Sequence, residues 1–222
     1  MTAHASASNA SSRVRVLIID DSAVVRGLTK VWLEVAPDIE IVAIAIDGED
    51  GVKRAKETQP DVVILDIEMP KLDGISALPK IREAAPKAKV LMASTLTKRN
   101  ADITLKAMAL GAADYIPKPD TKGLGGSTDY RRELVEKVRA IGGKTRAAAV
   151  QRASSTGAKL TLTPMSKVKP VVLAVGSSTG GPEALRVFIR GVGGKINAPI
   201  LITQHMPPMF TSILAGHLGA SS

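Results

Sequence analysis

Two apolar, β-branched runs near the start of the chain end in carboxylates: Val16-Leu17-Ile18-Ile19-Asp20-Asp21 and Val62-Val63-Ile64-Leu65-Asp66. Runs of this kind fill strands buried on both faces of a parallel sheet. Open α/β sheets place their ligand crevice at the carboxyl ends of such strands. Three carboxylates gathered there repel one another unless a hard cation lies between them, and Mg²⁺ takes such oxygen ligands together with waters and a phosphate oxygen. Lys118, in Tyr115-Ile116-Pro117-Lys118-Pro119, offers a counter-charge at the end of a later strand. The chemistry that suits these residues is the carriage of a phosphoryl group.

A second cluster lies further along. Gly176-Ser177-Ser178-Thr179-Gly180 satisfies the G-x-S-x-G pattern, with Ser178 on a strand-to-helix turn. His205 follows the next apolar run, Pro199 to Thr203, and falls at the same predicted sheet edge. A neutral imidazole there can take the Ser178 proton while a carbonyl is attacked, then return it to the leaving alcohol. Backbone N–H groups opening the helix at Pro182 can stabilise an oxyanion. The same loop could instead cradle a phosphate at a helix N-terminus. It lacks the Lys-Ser/Thr ending of a P-loop and the dinucleotide G-x-G-x-x-G spacing. A lone histidine after a strand is more often structural.

Elements of a definite kind must hold these residues. From Arg13 to Asp120 strand and helix patterns alternate, which predicts a parallel sheet with helices on both faces. The predicted strands are 14–19, 40–45, 62–66, 89–93 and 113–116, with amphipathic helices near 23–35, 49–57, 74–84 and 101–110. Turn signals at Gly48, Gln59-Pro60, Asp73-Gly74, Ala85-Pro86 and Gly111 separate them. Asp21 or Ser22 can serve simply as a helix cap. Against that reading, Asp20-Asp21, Asp66, a hydroxyl (Ser94 or Thr95) and Lys118 all fall at the same end of consecutive strands. After a Gly/Ala/Ser/Thr-rich stretch alternation resumes with Val171–Val175, the Pro182 helix, Pro199–Thr203 and a last helix near Phe210. Some 50 residues cannot cover both faces of a parallel sheet, so this second unit reads as cut short.

Composition narrows the classes. The chain has 222 residues, 45% of them hydrophobic, and no cysteine, which excludes disulfides and Cys-based metal sites. No apolar run reaches the length of a membrane span. Met1 to Ser12 reads as a loose tail and not as a signal peptide, making the cytoplasm the expected compartment. The net charge of +9 is local: residues 121–170 carry 11 Lys/Arg against 3 Asp/Glu, while residues 1–120 carry 16 against 17. Only Tyr130 is aromatic in the basic stretch and no recognition helix follows it, so a solvated linker is expected and nucleic-acid binding is not.

Residues 13–120 resemble a response-regulator receiver domain from first strand to last. The resemblance implies that Asp66 accepts the phosphoryl group, Asp20, Asp21 and Asp66 hold Mg²⁺, Lys118 pairs with the acyl phosphate, Ser94 is the switch hydroxyl and Tyr115 the switch aromatic. Ser177-Ser178-Thr179-Gly180-Gly181-Pro182 and Thr203-Gln204-His205-Met206-Pro207-Pro208 resemble the opening of the catalytic domain of chemotaxis protein-glutamate methylesterases. That family joins a receiver to an esterase through a linker, the order found here. By this resemblance Ser178 is the nucleophile and His205 the general base, and Thr179 supports the site. The family's acidic triad member lies in a downstream motif that this sequence does not contain. Ser177 stands where the family commonly has Ala, and Met209 where Gly is common.

The expected fold is therefore α/β: a five-stranded parallel receiver (flavodoxin-like) sheet, a linker, and the start of a truncated Rossmann-like α/β domain. The expected boundaries are a tail at 1–12, receiver 13–130, basic helix and linker 131–169, and the partial methylesterase domain 170–222. The family implies glutamyl methyl esters on methyl-accepting chemoreceptors as substrate, with glutamine deamidation as a second activity, and a chemotaxis histidine kinase as phosphoryl donor. The alternative from another class is a phospho-accepting receiver whose tail does no catalysis.

Overall fold

The structure is a computed structural model describing residues 13–95, 97–118, 127–154, 171–192 and 194–220. The predicted tail, residues 155–169 of the predicted linker and residue 170 lie outside the described residues. Five βα repeats open the chain: β1 (Val14–Ile19), α1 (Ala23–Glu34), β2 (Ile39–Ala45), α2 (Gly48–Thr58), β3 (Val62–Asp66), α3 (Gly74–Ala84), β4 (Lys89–Ser94), α4 (Lys98–Ala109), β5 (Asp114–Pro117) and α5 (Ser127–Ser154). Their strands form one parallel sheet in the order β2-β1-β3-β4-β5. The order reverses at β1 and β3, which pair Ile19 with Leu65. The crevice of a doubly wound sheet opens at this switch point. Asp66 ends β3, and Asp20 and Asp21 directly follow β1.

The alternation of side chains along each strand makes two cores. Leu17, Ile19, Val63, Leu65, Val90 and Met92 face α2, α3 and α4, while Val16, Ile18, Val62, Ile64, Leu91 and Ile116 face α1 and α5. Local chemistry sets the helix starts. Ser22, Asp47, Asp73 and Thr97 each accept a backbone N–H three residues on, at 3.4, 2.9, 2.8 and 3.1 Å. Ser22, and not Asp21, therefore caps α1, leaving the Asp21 carboxylate to the crevice.

Helix α5 departs from the sequence expectation. A basic helix and then a Gly/Ala/Ser/Thr-rich linker are predicted over 131–169, and the helix runs further into that stretch than expected, to Ser154. Its first turns belong to the receiver core, where Tyr130, Leu134, Val138 and Ile141 are buried. Gly142 reads as a breaker but serves close packing: a Cβ there would come within 2.4 Å of Val14 Cγ1 and 2.8 Å of Val62 Cγ2. Beyond it lie Lys144, Arg146, Ala147, Ala148 and Ala149, residue types with little cost in a helix. On the same side of the sheet Trp32 of α1 meets Tyr130 of α5 edge-on, with ring centroids 5.2 Å apart.

The second unit comprises β6 (Leu173–Ser177), α6 (Gly181–Val192), β7 (Ile200–Gln204) and α7 (Pro208–Gly219). β6 and β7 form a separate two-stranded parallel sheet. Val175 and Ile202 turn toward the packed side, while Ala174, Leu201 and Thr203 stand exposed on the other. Parallel sheets ordinarily carry helices on both faces. Leu185 of α6 and Phe210, Leu214 and Leu218 of α7 join the same buried cluster as Leu105 and Met108 of α4. The unit thus docks on the α4–β5 side of the receiver.

Candidate functional site

At the crevice, Asp20 and Asp66 are each only 3% exposed, and Asp21 faces solvent. One carboxylate oxygen from each of the three lies within 4.8 Å of the others. Lys118 Nζ sits 2.8 Å from Asp20 Oδ2 and 2.8 Å from Asp66 Oδ2. The other Asp20 oxygen accepts the Ser22 N–H at 2.9 Å, and the Asp20 carbonyl accepts Arg26 Nη1 at 2.7 Å. These bonds leave Asp20 little freedom to turn away. Burial, with Asp20 beside it, pushes the Asp66 carboxyl up to about 6 against the counter-pull of Lys118. Burial also works against the Lys118 charge, but Asp66 and Asp20 together hold its pKa above the ordinary lysine value.

The donor set fits a hard divalent cation. All three groups offer oxygen alone, two are fixed and buried, and the third stands open to solvent, which matches a small cation that keeps several waters. One lysine cannot neutralise three clustered carboxylates. The arrangement sets the buried Asp66 carboxylate among clustered acidic oxygens that suit a cation and beside a fixed ammonium that suits oxyanions.

Ser94 and Tyr115 frame the same edge. Ser94 is 1% exposed and ends β4 next to Ala93, the register partner of Asp66. Its hydroxyl donates to the Thr95 carbonyl at 3.2 Å and not to Asp66. The Tyr115 ring is buried and stacks on Phe210 of α7, with centroids 4.8 Å apart and planes 7° from parallel. Burial, with Asp114 next to it, raises its phenol pKa well above the ordinary value. The predicted switch aromatic therefore forms part of the seam with the second unit.

Ser178 and His205 follow the paired strand ends Ser177 and Gln204. The His205 N–H donates to the Ser177 carbonyl at 3.0 Å, so the two loops are tied through their backbones. Both residues are exposed, and no hydrogen bond joins the Ser178 hydroxyl to the His205 ring. Glu183, the one carboxylate between them in sequence, holds Arg186 with bonds of 2.8 and 2.6 Å and is turned along its own helix. The structure brings serine and histidine to one sheet edge and gives the histidine no carboxylate partner among the described residues.

Asp114 was not singled out by its sequence. At 1% exposure it holds Lys137 of α5 at 2.8 Å, and the same oxygen accepts the Gly180 N–H at 3.3 Å. Lys137 Nζ also lies 5.4 Å from the Tyr115 ring centroid. One buried carboxylate beside the predicted switch aromatic thus touches the loop that carries Ser178. An aspartate opening a short strand gives no local signal, because its partners come from elements 23 and 66 residues away.

Sheet order, acid cluster and strand-end lysine define a response-regulator receiver domain. Residues 16–124 match the family model of the response regulator receiver domain, and residues 173–222 match that of the CheB methylesterase. The crystal structure of the response regulator domain of Thermotoga maritima CheB superposes with a TM-score of 0.54 at 40% identity, covering 59% of this chain and 97% of that one. A protein-glutamate methylesterase/protein-glutamine glutaminase of Rhodopseudomonas palustris (strain BisB5) is 45% identical over 98% of this chain and 62% of its own length. A second, from Caulobacter vibrioides, is 51% identical over 91% of this chain and 58% of its own. The chain belongs to the CheB family, as a receiver followed by part of the methylesterase domain. It spans about three fifths of the length of these curated relatives.

Proposed function

We propose that this chain carries the phosphorylation switch, and the nucleophile and base, of a chemotaxis protein-glutamate methylesterase. In this reading Asp66 attacks the phosphorus of a phosphohistidine on the chemotaxis histidine kinase, and the imidazole departs. Mg²⁺ held by Asp20, Asp21 and Asp66 would neutralise the phosphoryl oxygens when bound. Lys118 then pairs with the acyl phosphate. Ser94 turns from the Thr95 carbonyl toward it, and Tyr115 repacks behind Ser94. Because Tyr115 stacks on Phe210, that repacking reaches α7 directly, and Asp114 ties the same strand to the Ser178 loop.

The output reaction is ester hydrolysis. Ser178 Oγ attacks the carbonyl of a glutamyl methyl ester on a chemoreceptor helix while His205 takes its proton. The proton leaves with methoxide as methanol, and water then releases glutamate from the acyl-serine. A glutaminyl side chain would lose ammonia by the same steps. The compartment is the cytoplasm, where kinase and receptor tails meet; no helix among the described residues is long and apolar enough to cross a membrane.

The observation that carries the reading is the buried Asp66–Lys118–Asp20 cluster, whose lysine follows the strand bearing Tyr115, the aromatic that stacks on the methylesterase segment. The test is incubation of the chain with a small acyl-phosphate donor and Mg²⁺, followed by mass spectrometry and a methanol assay on methylated receptor. Wild type should gain one phosphoryl group and Asp66→Asn none; an equally modified Asp66→Asn chain overturns the assignment. A second reading, a phospho-accepting module without catalysis, is favoured by His205 having no carboxylate partner among the described residues. Phosphorylation at Asp66 without methanol selects it.

A further inference from the structure

Gln204 closes β7 opposite Ser177, and its carboxamide bridges the two loops. Its Nε2 donates to the Ser178 carbonyl at 2.9 Å and to the His205 carbonyl at 3.0 Å, while its Oε1 accepts the Ser177 hydroxyl at 2.6 Å. Two carbonyls on one side and a hydroxyl on the other decide which end of the amide is which, since a reversed amide would set its oxygen against both carbonyls. The start of α6 lies hard against this group. A Cβ on Gly181 would come within 1.8 Å of Gln204 Oε1 and 2.7 Å of its Cδ, so any larger residue there would displace this carboxamide.

The bonds fall on the backbone of the two reactive residues themselves. The Ser178 carbonyl also accepts the Gly181 N–H at 2.7 Å, and the Ser177 carbonyl accepts the His205 N–H at 3.0 Å. With the peptide groups on both sides fixed, the Cα–Cβ directions of serine and histidine are set before either side chain chooses a rotamer. We propose that Gln204 is a positioning residue for the Ser178–His205 pair, its carboxamide pinning the serine turn to the strand end that bears the histidine. The proposal rests on reading those residues as nucleophile and base. Ser177 adds the third anchor, which an alanine at that position would not provide.

Amide hydrogen exchange by NMR on the full chain tests this with Gln204→Ala and Gln204→Glu. Loss of two backbone anchors in Gln204→Ala should speed exchange at Gly181 and His205 about tenfold, the equivalent of one or two ordinary hydrogen bonds, with Val175, Ile202 and the α7 amides unchanged. Gln204→Glu adds a pH signature. Its protonated carboxyl keeps one donor, whereas the ionised form faces two carbonyls, so exchange corrected for base catalysis should rise with pH while wild type stays flat. A change below about twofold at Gly181 and His205 in Gln204→Ala overturns the proposal. So does equal acceleration throughout β6, β7 and α7, which marks a plain loss of fold. Labelling of Ser178 by a fluorophosphonate probe separates the underlying reading: an inert Ser178 in a chain whose turn loosens as expected leaves the clamp standing and removes the esterase.

Discussion

Asp66 is the residue at which burial and function oppose each other. Its carboxyl is held at about 6, against an ordinary 3.8, chiefly by burial. A folded chain therefore binds a proton that the unfolded chain releases between these values. The favourable contribution is whole below pH 3.8 and lost as pH rises through 6, and above that the buried charge weighs against folding. Asp66→Asn should raise stability at pH 7.5 by on the order of 2–3 kcal/mol in urea unfolding without divalent cations, with the two stability curves converging near pH 4. A variant no more stable than wild type at pH 7.5 would contradict the burial argument. Mg²⁺ should stabilise wild type and leave Asp66→Asn far less affected, because a ligand that binds only the native state shifts unfolding by mass action. The acids were legible in sequence because each ends a buried apolar run, and strand-end position is a local property. The bonds of Gln204 were not, although it adjoins His205, because a carboxamide declares no partner until two loops meet.

Among the elements, α5 shows how a local signal misleads. Two consecutive glycines and a basic, Ala-rich composition argue for a linker, but Gly142 lies where Val14 and Val62 leave no room for a side chain. Gly142→Val should cost about 1–3 kcal/mol by overpacking a stiff β-branched neighbour, a loss far larger than its better helix propensity can return. Thermal unfolding followed by circular dichroism measures this, and a neutral result would mean that α5 swings away from β1 freely. The five strands were read to within a residue or so because a doubly covered parallel sheet writes uninterrupted apolar runs. The passage of α5 through Gly142 depends on what that residue packs against and so lay beyond local reading. The same holds for α4, which starts at Lys98, where Thr97 caps it, and not near residue 101 as its periodicity suggests.

At the scale of the whole molecule, the second unit is held by α7 on α4 and by the Tyr115–Phe210 stack. Phe210 is fully buried, and its removal takes away both the ring contact and the anchor of α7. Phe210→Ala should cost about 3–5 kcal/mol of docking, typical of a buried aromatic. Hydrogen exchange should then rise across residues 173–219 while β1 to β5 keep their protection; loosening of both units alike would mean that they fold as one. Nothing in the sequence of either unit announces this seam, since its residues are ordinary core types whose partners lie about a hundred positions away.

Trp32, the single tryptophan, meets Tyr130 on the sheet face opposite α4 and α7. Its emission is thus an optical reporter confined to the α1–α5 seam, blind to whether the methylesterase segment is seated. Detachment of that segment and melting of the receiver can be told apart in one cuvette, the first silent at this indole and the second not.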